Sequence, residues 1–72
     1  MGFFKKRGKP RQYMIEHDRG NYTLCVWLRA PRRWDDLAST DVHSELPNLR
    51  LFAVLDAKVN GYGDNYEITE LI

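Results

Sequence analysis

Polar and apolar residues alternate near the start of the chain with the period of two that is typical of β-strands. The alternation runs from Gln12 to Asp18, and the run Tyr22–Leu28 then holds the β-branched and aromatic residues that strands favour. Gly20-Asn21 suits the two-residue turn of a hairpin because both residues tolerate positive φ, and Arg19-Gly20 is the alternative turn. Both registers place the same residues on one face, the predicted core: Tyr13, Ile15, His17, Tyr22, Leu24, Val26 and Leu28.

The next segment has the spacing of a short helix. Pro31 ends the second strand and is favourable as the first residue of a helix, where its missing N–H is not needed. Two aspartates follow in the first turn, close to the positive end of the helix dipole. Apolar residues from Trp34 to Ala38 recur at i, i+3 and i+4, so we predict a helix that ends near Ser39 and irregular structure over residues 40–48.

Residues 50–59 fit two patterns. As a strand, every odd position is apolar; as a helix, Asn48 would cap the start and Gly61 would end it. A turn-rich segment and a clear strand pattern over residues 66–72 follow. Pairing these two strands places a lysine opposite a glutamate, which is a favourable cross-strand pair. We therefore predict a second hairpin over residues 50–72.

Together these elements predict an α+β fold in the order β-β-α-β-β, a small antiparallel sheet of two hairpins with one short helix between them. Residues 1–11 hold five cations and the stretch Gly8–Pro10, which is unsuited to regular structure. We therefore predict a flexible basic tail over residues 1–11 and a single α+β domain over residues 12–72. The large side chains expected to fill the core are Trp27, Trp34, Phe52 and Tyr66.

The charge of the chain is strongly uneven along its length. The residues up to Trp34 hold nine of the 11 Lys and Arg residues and only Glu16 and Asp18 as acids, a net charge of +7. The residues after Trp34 hold two cations and eight acids, a net charge of −6, and the two parts sum to the overall +1. Such a chain can attract a polyanion to one surface and cations to another, unless folding brings the two parts together and cancels the asymmetry.

Motifs for catalysis are missing from the sequence, which has no Gly-rich phosphate loop, no nucleophile motif and no His-x-x-x-His. We expect a protein that is not an enzyme and binds no cofactor. His17, Cys25 and His43 lack the spacing of a zinc site, and Cys25 is predicted on the sheet face opposite His17, so no metal site is predicted. The single cysteine excludes an internal disulfide, and the lack of an apolar run of ~20 residues predicts a cytoplasmic protein with no membrane partner.

Clustered cations beside an aromatic residue predict contact with nucleic acid. Flexible cations meet phosphate oxygens, and a nearby aromatic ring can stack on a base. We expect a small non-catalytic binding protein that acts in nucleic-acid transactions and contacts DNA, RNA or a nucleoprotein machine through a basic tail and an Arg/Trp patch. The predicted nucleic-acid-binding residues are Lys5, Lys6, Arg7, Lys9, Arg11, Arg29, Arg32, Arg33 and Trp34.

An alternative hypothesis is a protein-binding adaptor or inhibitor, of the kind that small viral and mobile-element genomes encode. A tyrosine between two glycines at a loop tip offers contact area at low entropy cost. The second predicted hairpin also keeps apolar residues on its outer face, so either the irregular segment or a partner covers it. The partner would be another protein, including one that processes nucleic acids, or a second copy of this chain. The predicted protein-binding residues are Phe52, Val54, Tyr62 and Leu71.

Overall fold

The computed structural model describes residues 8–72, which form a mixed four-stranded sheet with one helix packed on one of its faces. The elements are β1 (Arg11–Asp18), β2 (Asn21–Arg29), β3 (Arg32–Thr40), α1 (Leu46–Val59) and β4 (Tyr66–Leu71), with a 3-10 turn at His43–Glu45 before α1. The strands lie in the order β3-β2-β1-β4. Three pairs of neighbours are present: β2 is antiparallel to both β3 and β1, and β4 is parallel to β1.

The first predicted hairpin is confirmed, together with its faces. The turn is the alternative one, Arg19-Gly20, and not Gly20-Asn21, because Asn21 pairs with Asp18 within the ladder. Both turn residues have positive φ, 53° and 78°. That pair of angles suits the right-handed twist of the flanking strands. The register pairs Tyr13 with Val26 and Ile15 with Leu24, so odd positions of β1 share the core face with even positions of β2.

The predicted helix over residues 31–39 is wrong, because the segment forms strand β3. Pro31 lies in the short turn before it rather than at the start of a helix. A bulge sets one extra residue of β3 against Leu24 and Cys25, so Leu37 and Ala38 both pack towards the core. Trp34 lies on the opposite face of the strand, so the i, i+3, i+4 spacing of these three apolar residues does not correspond to a single face.

The predicted second hairpin is also wrong, because residues 50–59 belong to α1. Pro47 lies in the first helical turn, a position that tolerates its missing N–H. At the other end, Gly61 has a φ of 83°, and the N–H groups of Gly61 and Tyr62 donate to the carbonyls of Lys58 and Ala57. This is the Schellman arrangement that ends many helices. The helical interpretation of residues 50–59 was therefore the right one, with Gly61 at its end. The helix begins at Leu46, so Asn48 lies within it instead of capping it, and the prediction of irregular structure over residues 40–48 is wrong at both ends.

The α+β class is confirmed, but the observed order is β-β-β-α-β rather than β-β-α-β-β. The predicted strand after residue 65 exists as β4, yet it pairs with β1 instead of returning on residues 50–59. The helix α1 connects β3, at one edge of the sheet, with β4, at the other edge beside β1. The strand β4 therefore runs in the same direction as β3 and β1. A sheet expected to be purely antiparallel is consequently mixed.

The core lies between α1 and one face of the sheet. Ala53 and Ala57 are fully buried, and their small side chains let the helix lie close to the strands. Trp34 and Phe52, which were expected in the core, are 41% and 46% exposed. The buried apolar cluster consists of Tyr13, Ile15, Tyr22, Leu24, Val26, Leu46, Leu49, Ala53 and Ala57.

A polar network ties the start of β1 to the end of α1. Asp56 accepts hydrogen bonds from Arg11 Nε at 2.9 Å and from the Tyr13 hydroxyl at 2.6 Å, and all three side chains are largely buried. Burial by itself lowers the pKa of Arg11, but the hydrogen bonds to Asp56 and Tyr13 outweigh it and raise that pKa. Burial and the bond to Asp56 raise the pKa of Tyr13, so the phenol stays protonated. Arg11 thus has a structural role, because it connects β1 with α1.

Candidate nucleic-acid interface

The sheet face opposite α1 carries a pair of tryptophans. Trp27 on β2 and Trp34 on β3 are direct cross-strand partners, and both belong to the alternate positions that point away from the core. Their ring centroids are 5.5 Å apart with an interplanar angle of 60°, an edge-to-face contact. We call this surface of the sheet the open face. The two indoles form an aromatic platform on it.

Two arginines lie next to the platform and directly opposite each other. Arg29 and Arg32 are cross-strand partners at the β2–β3 turn. Like charges in that position destabilise a sheet. Within residues 8–72 neither guanidinium has an ion-pair partner. The arrangement is therefore one that an anionic ligand would stabilise.

A groove connects these arginines with the segment before β1. It has a volume of about 520 Å³, and it is open to solvent along one side. Lys9 contributes a third cation, which also makes no ion pair within residues 8–72. The residues that line the groove are Gly8, Lys9, Pro10, Gln12, Trp27, Arg29 and Arg32.

A second, smaller cleft lies on the β4 side of the platform. Its volume is about 170 Å³, and Trp34 forms one wall. Gln12 lines this cleft as well as the groove, so the two hollows flank the tryptophans. The remaining lining residues are Tyr13, Met14, Glu67 and Thr69.

The other end of the open face is acidic. Glu16 and Asp36 flank Cys25, whose thiol donates to Asp36 at 3.4 Å and lies 3.9 Å from Glu16. Burial, together with the hydrogen bond to Asp36, raises the pKa of Cys25 to about 12, so the thiol stays protonated at neutral pH. The cations and the tryptophans therefore share one end of the open face, and a polyanion would be repelled from the other.

The structure brings together part of the nucleic-acid-binding set predicted from the sequence. Lys9, Arg29, Arg32 and Trp34 meet at the groove and the platform. Lys5, Lys6 and Arg7, and with them most of the predicted tail over residues 1–11, lie outside the described residues. The remaining two, Arg11 and Arg33, are placed elsewhere.

Arg11 and Arg33 are engaged on the side of the sheet that carries α1. Arg11 bonds Asp56 and lies over the Tyr62 ring, with 5.3 Å between the guanidinium carbon and the ring centroid. Arg33 is one residue from Arg32 but points to the opposite face, where it lies 3.7 Å from Asp35. Neither guanidinium lines the groove.

The four predicted protein-binding residues do not share a surface. Phe52 lies on the outside of α1, and Val54 is half-buried on the same helix. Tyr62 is half-buried against the core instead of standing at a loop tip. Leu71 is exposed on β4, at a position of the open face. The second hairpin that was expected to unite them does not exist.

The outer side of α1 is nevertheless strongly apolar. Leu51, Phe52, Leu55 and Val59 recur at helical spacing and are between 46% and 85% exposed. We call these four residues the outer stripe of α1. Large exposed apolar patches are a feature of interaction surfaces.

The two histidines occupy structural positions beside Tyr22. The His17 ring stacks on Tyr22 with centroids 4.2 Å apart, and His43 Nδ1 shares a 2.9 Å hydrogen bond with the Tyr22 hydroxyl. Within residues 8–72 no group of three or more His, Cys, Asp or Glu side chains is placed to hold a metal ion. In the same part of the chain, no helix has the length and hydrophobicity needed to cross a membrane.

Four residues of the site were not predicted from the sequence: Trp27, Gln12, Glu67 and Thr69. Trp27 was assigned to the core because of its size, although strand alternation already placed it on the less apolar face of the first hairpin. Its position opposite Trp34 depends on β3, which the helical spacing concealed. Gln12 and Glu67 meet only because β4 pairs with β1 in parallel.

The chain was compared with protein-family models, with curated proteins and with solved structures. No family model matches it. No curated protein and no solved structure gives a significant match either. The basis of a functional proposal for this chain is therefore the geometry of the open face.

Proposed function

We propose that this protein binds single-stranded nucleic acid, without catalysing a reaction, through the open face of its sheet. The observation that carries the proposal is the cross-strand Arg29–Arg32 pair beside the Trp27–Trp34 pair. Aromatic side chains on which bases stack, next to cations that follow the backbone, are the two parts of a single-strand binding surface. Each of the two indoles can stack on one base.

The cations of the groove provide the electrostatic part of binding. Lys9, Arg29 and Arg32 would meet phosphates, and each contact to a single strand contributes a slope of about −0.7 to the dependence of log K on log salt. Three contacts give a slope of about −2. In the sequence, Lys5, Lys6 and Arg7 directly precede the groove and would add to this slope.

Single strands fit this surface better than duplexes. Stacking on an indole requires an unpaired base, whereas the major groove of a duplex takes a helix or a two-stranded ribbon. The helix α1 presents the apolar outer stripe, and of its two cations Arg50 is paired with Glu70. Lys9, Arg29 and Arg32, by contrast, lie beside the tryptophans of the open face.

The test is binding of labelled DNA and RNA strands, measured by fluorescence anisotropy at several salt concentrations with wild type and Trp34→Ala. Loss of one stacking partner removes about 1–3 kcal/mol, so the dissociation constant should rise roughly fivefold to 150-fold. Phe52→Ala is the matched control, since Phe52 is exposed to a similar extent on the opposite side of the domain. Its affinity should equal that of wild type.

Absence of binding to every strand at low salt would refute the proposal. So would equal affinity of wild type and Trp34→Ala. A duplex that binds as tightly as the single strands would point to backbone contacts without base stacking. Circular dichroism of each variant confirms that the loss of affinity does not arise from unfolding.

Protein binding is the second candidate function, and one observation favours it. The outer stripe places four large apolar side chains in solvent at helical spacing. An amphipathic helix that lays such a stripe into a hydrophobic groove of another protein is a common recognition mode. The adaptor or inhibitor hypothesis therefore moves from the predicted hairpin to α1, with Phe52 as the one predicted residue that it keeps.

A further inference from the structure

We infer that the cleft between Trp34 and β4 is a base-selecting subsite that prefers guanine, with Glu67 as the discriminating side chain. This inference rests on the proposed binding of single strands to the open face. It adds a preference that stacking alone does not give, because every base has a face that can stack.

The size of the cleft suits one planar base. Its volume of about 170 Å³ compares with the roughly 150 Å³ of a cavity that takes up a single benzene ring, and this cleft is open on one side. Trp34, 41% exposed, offers the stacking surface. Gln12, Glu67 and Thr69 supply polar groups around the edge of the cleft.

Glu67 is available for a ligand. It is a direct partner of Gln12 in the β1–β4 register, so the two side chains are neighbours on the open face. Within residues 8–72 the Glu67 carboxylate accepts no side-chain hydrogen bond and forms no ion pair. Glu70, on the same strand, faces the side that carries α1. Its carboxylate accepts hydrogen bonds from Arg50 Nε at 2.5 Å and from Arg50 Nη2 at 2.9 Å.

A carboxylate at this place selects among bases by hydrogen bonding. Two carboxylate oxygens only accept, and guanine alone presents two adjacent donors, N1–H and the N2 amino group, on its Watson–Crick edge. Cytosine and adenine present one amino group beside an acceptor. Uracil and thymine present one N–H between two carbonyl oxygens, which the carboxylate repels. The amide of Gln12 is placed to donate to guanine O6 beside this pair.

The experiment compares two labelled strands, a short thymidylate and the same strand with one central guanine, by fluorescence anisotropy with the full chain. Wild type should prefer the guanine strand on the order of tenfold, the effect of one bidentate contact. Glu67→Gln should bring the two affinities together. Glu70→Gln removes the same charge from the opposite face of β4, and it should keep the preference.

Each outcome has a distinct meaning. Equal affinity of wild type for both strands, or a preference that survives in Glu67→Gln, overturns the subsite and leaves the proposed function intact. Failure of both strands to bind overturns the proposed function. Guanosine monophosphate is added as a competitor. If it binds as tightly as the guanine strand, the rest of the strand adds no affinity, which refutes the open face as a strand-binding surface. Weaker competition supports recognition of a guanine base within a strand.

Discussion

The open face of the sheet and the outer stripe of α1 both expose large side chains, but they differ in what surrounds those side chains. On the open face, two tryptophans lie among Lys9, Arg29 and Arg32 and beside two hollows. On α1, four aliphatic and aromatic residues lie side by side, and Lys58 is the only basic residue in the last turn of the helix. The first surface combines stacking with positive charge, and the second offers apolar area alone.

Exposure of a large side chain does not by itself identify the ligand of a surface. A polyanion with planar bases gains from rings and cations together, and its binding weakens as salt is added. An apolar stripe gains from burial, which salt affects little. Salt dependence therefore separates the two surfaces, and so do variants that change one surface without touching the other.

The largest effect is expected from the polar network on which both surfaces depend. Asp56→Ala leaves the Arg11 guanidinium and the Tyr13 hydroxyl without their acceptor in a largely buried place. Breaking such a pair should lower the free energy of unfolding by about 2–3 kcal/mol. Urea unfolding followed by tryptophan fluorescence measures this decrease in the free energy of unfolding.

Glu70→Gln is the control for this prediction, because it breaks the exposed pair with Arg50 and should change stability only slightly. If the two variants lose the same stability, the network at Asp56 does not hold α1 on the sheet as we argue.

A smaller and more selective effect is expected from two adjacent arginines of β3. Arg32→Gln removes a cation from the groove and should weaken single-strand binding and reduce the salt slope by about 0.7. Arg33→Gln removes the same charge from the opposite face, where Arg33 lies beside Asp35. It should leave both quantities close to those of wild type. Equal effects of the two variants would mean that overall charge, and not the open face, attracts the strand.

The smallest effect on nucleic-acid binding is expected from the outer stripe. In the double variant Phe52→Ser with Leu55→Ser, strand affinity should stay within about twofold of wild type. The unfolding free energy should change by no more than about 1 kcal/mol, since both side chains are half-exposed already. Binding of a hydrophobic dye should fall, because the patch is gone. A large loss of strand affinity would show that the two surfaces are not independent.

Part of the candidate site could be predicted from the sequence because it depends on neighbours along the chain. The cations near Pro31 and the adjacent Trp34 follow one another in the sequence, so their proximity needed no tertiary information. Arg33 shows the limit of that inference. It has the same charge as Arg32, and only strand geometry assigns the two residues to opposite faces.

Sequence patterns were enough to predict the α+β class, the first hairpin and the faces of that hairpin, since alternation and a glycine turn are local properties. That residues 32–40 form a strand could be seen only in the fold, because Arg33 and Asp35 occupy positions on the α1 side of the sheet and the apolar residues of the segment lie on both faces. The fold likewise decided that residues 50–59 are a helix. Their apolar residues fit both the helical and the strand period. In the fold, the small side chains of Ala53 and Ala57 let a helix pack closely on the sheet. Gln12, Trp34 and Glu67 meet for the same reason: contacts between distant strands depend on packing and not on any pattern within one segment.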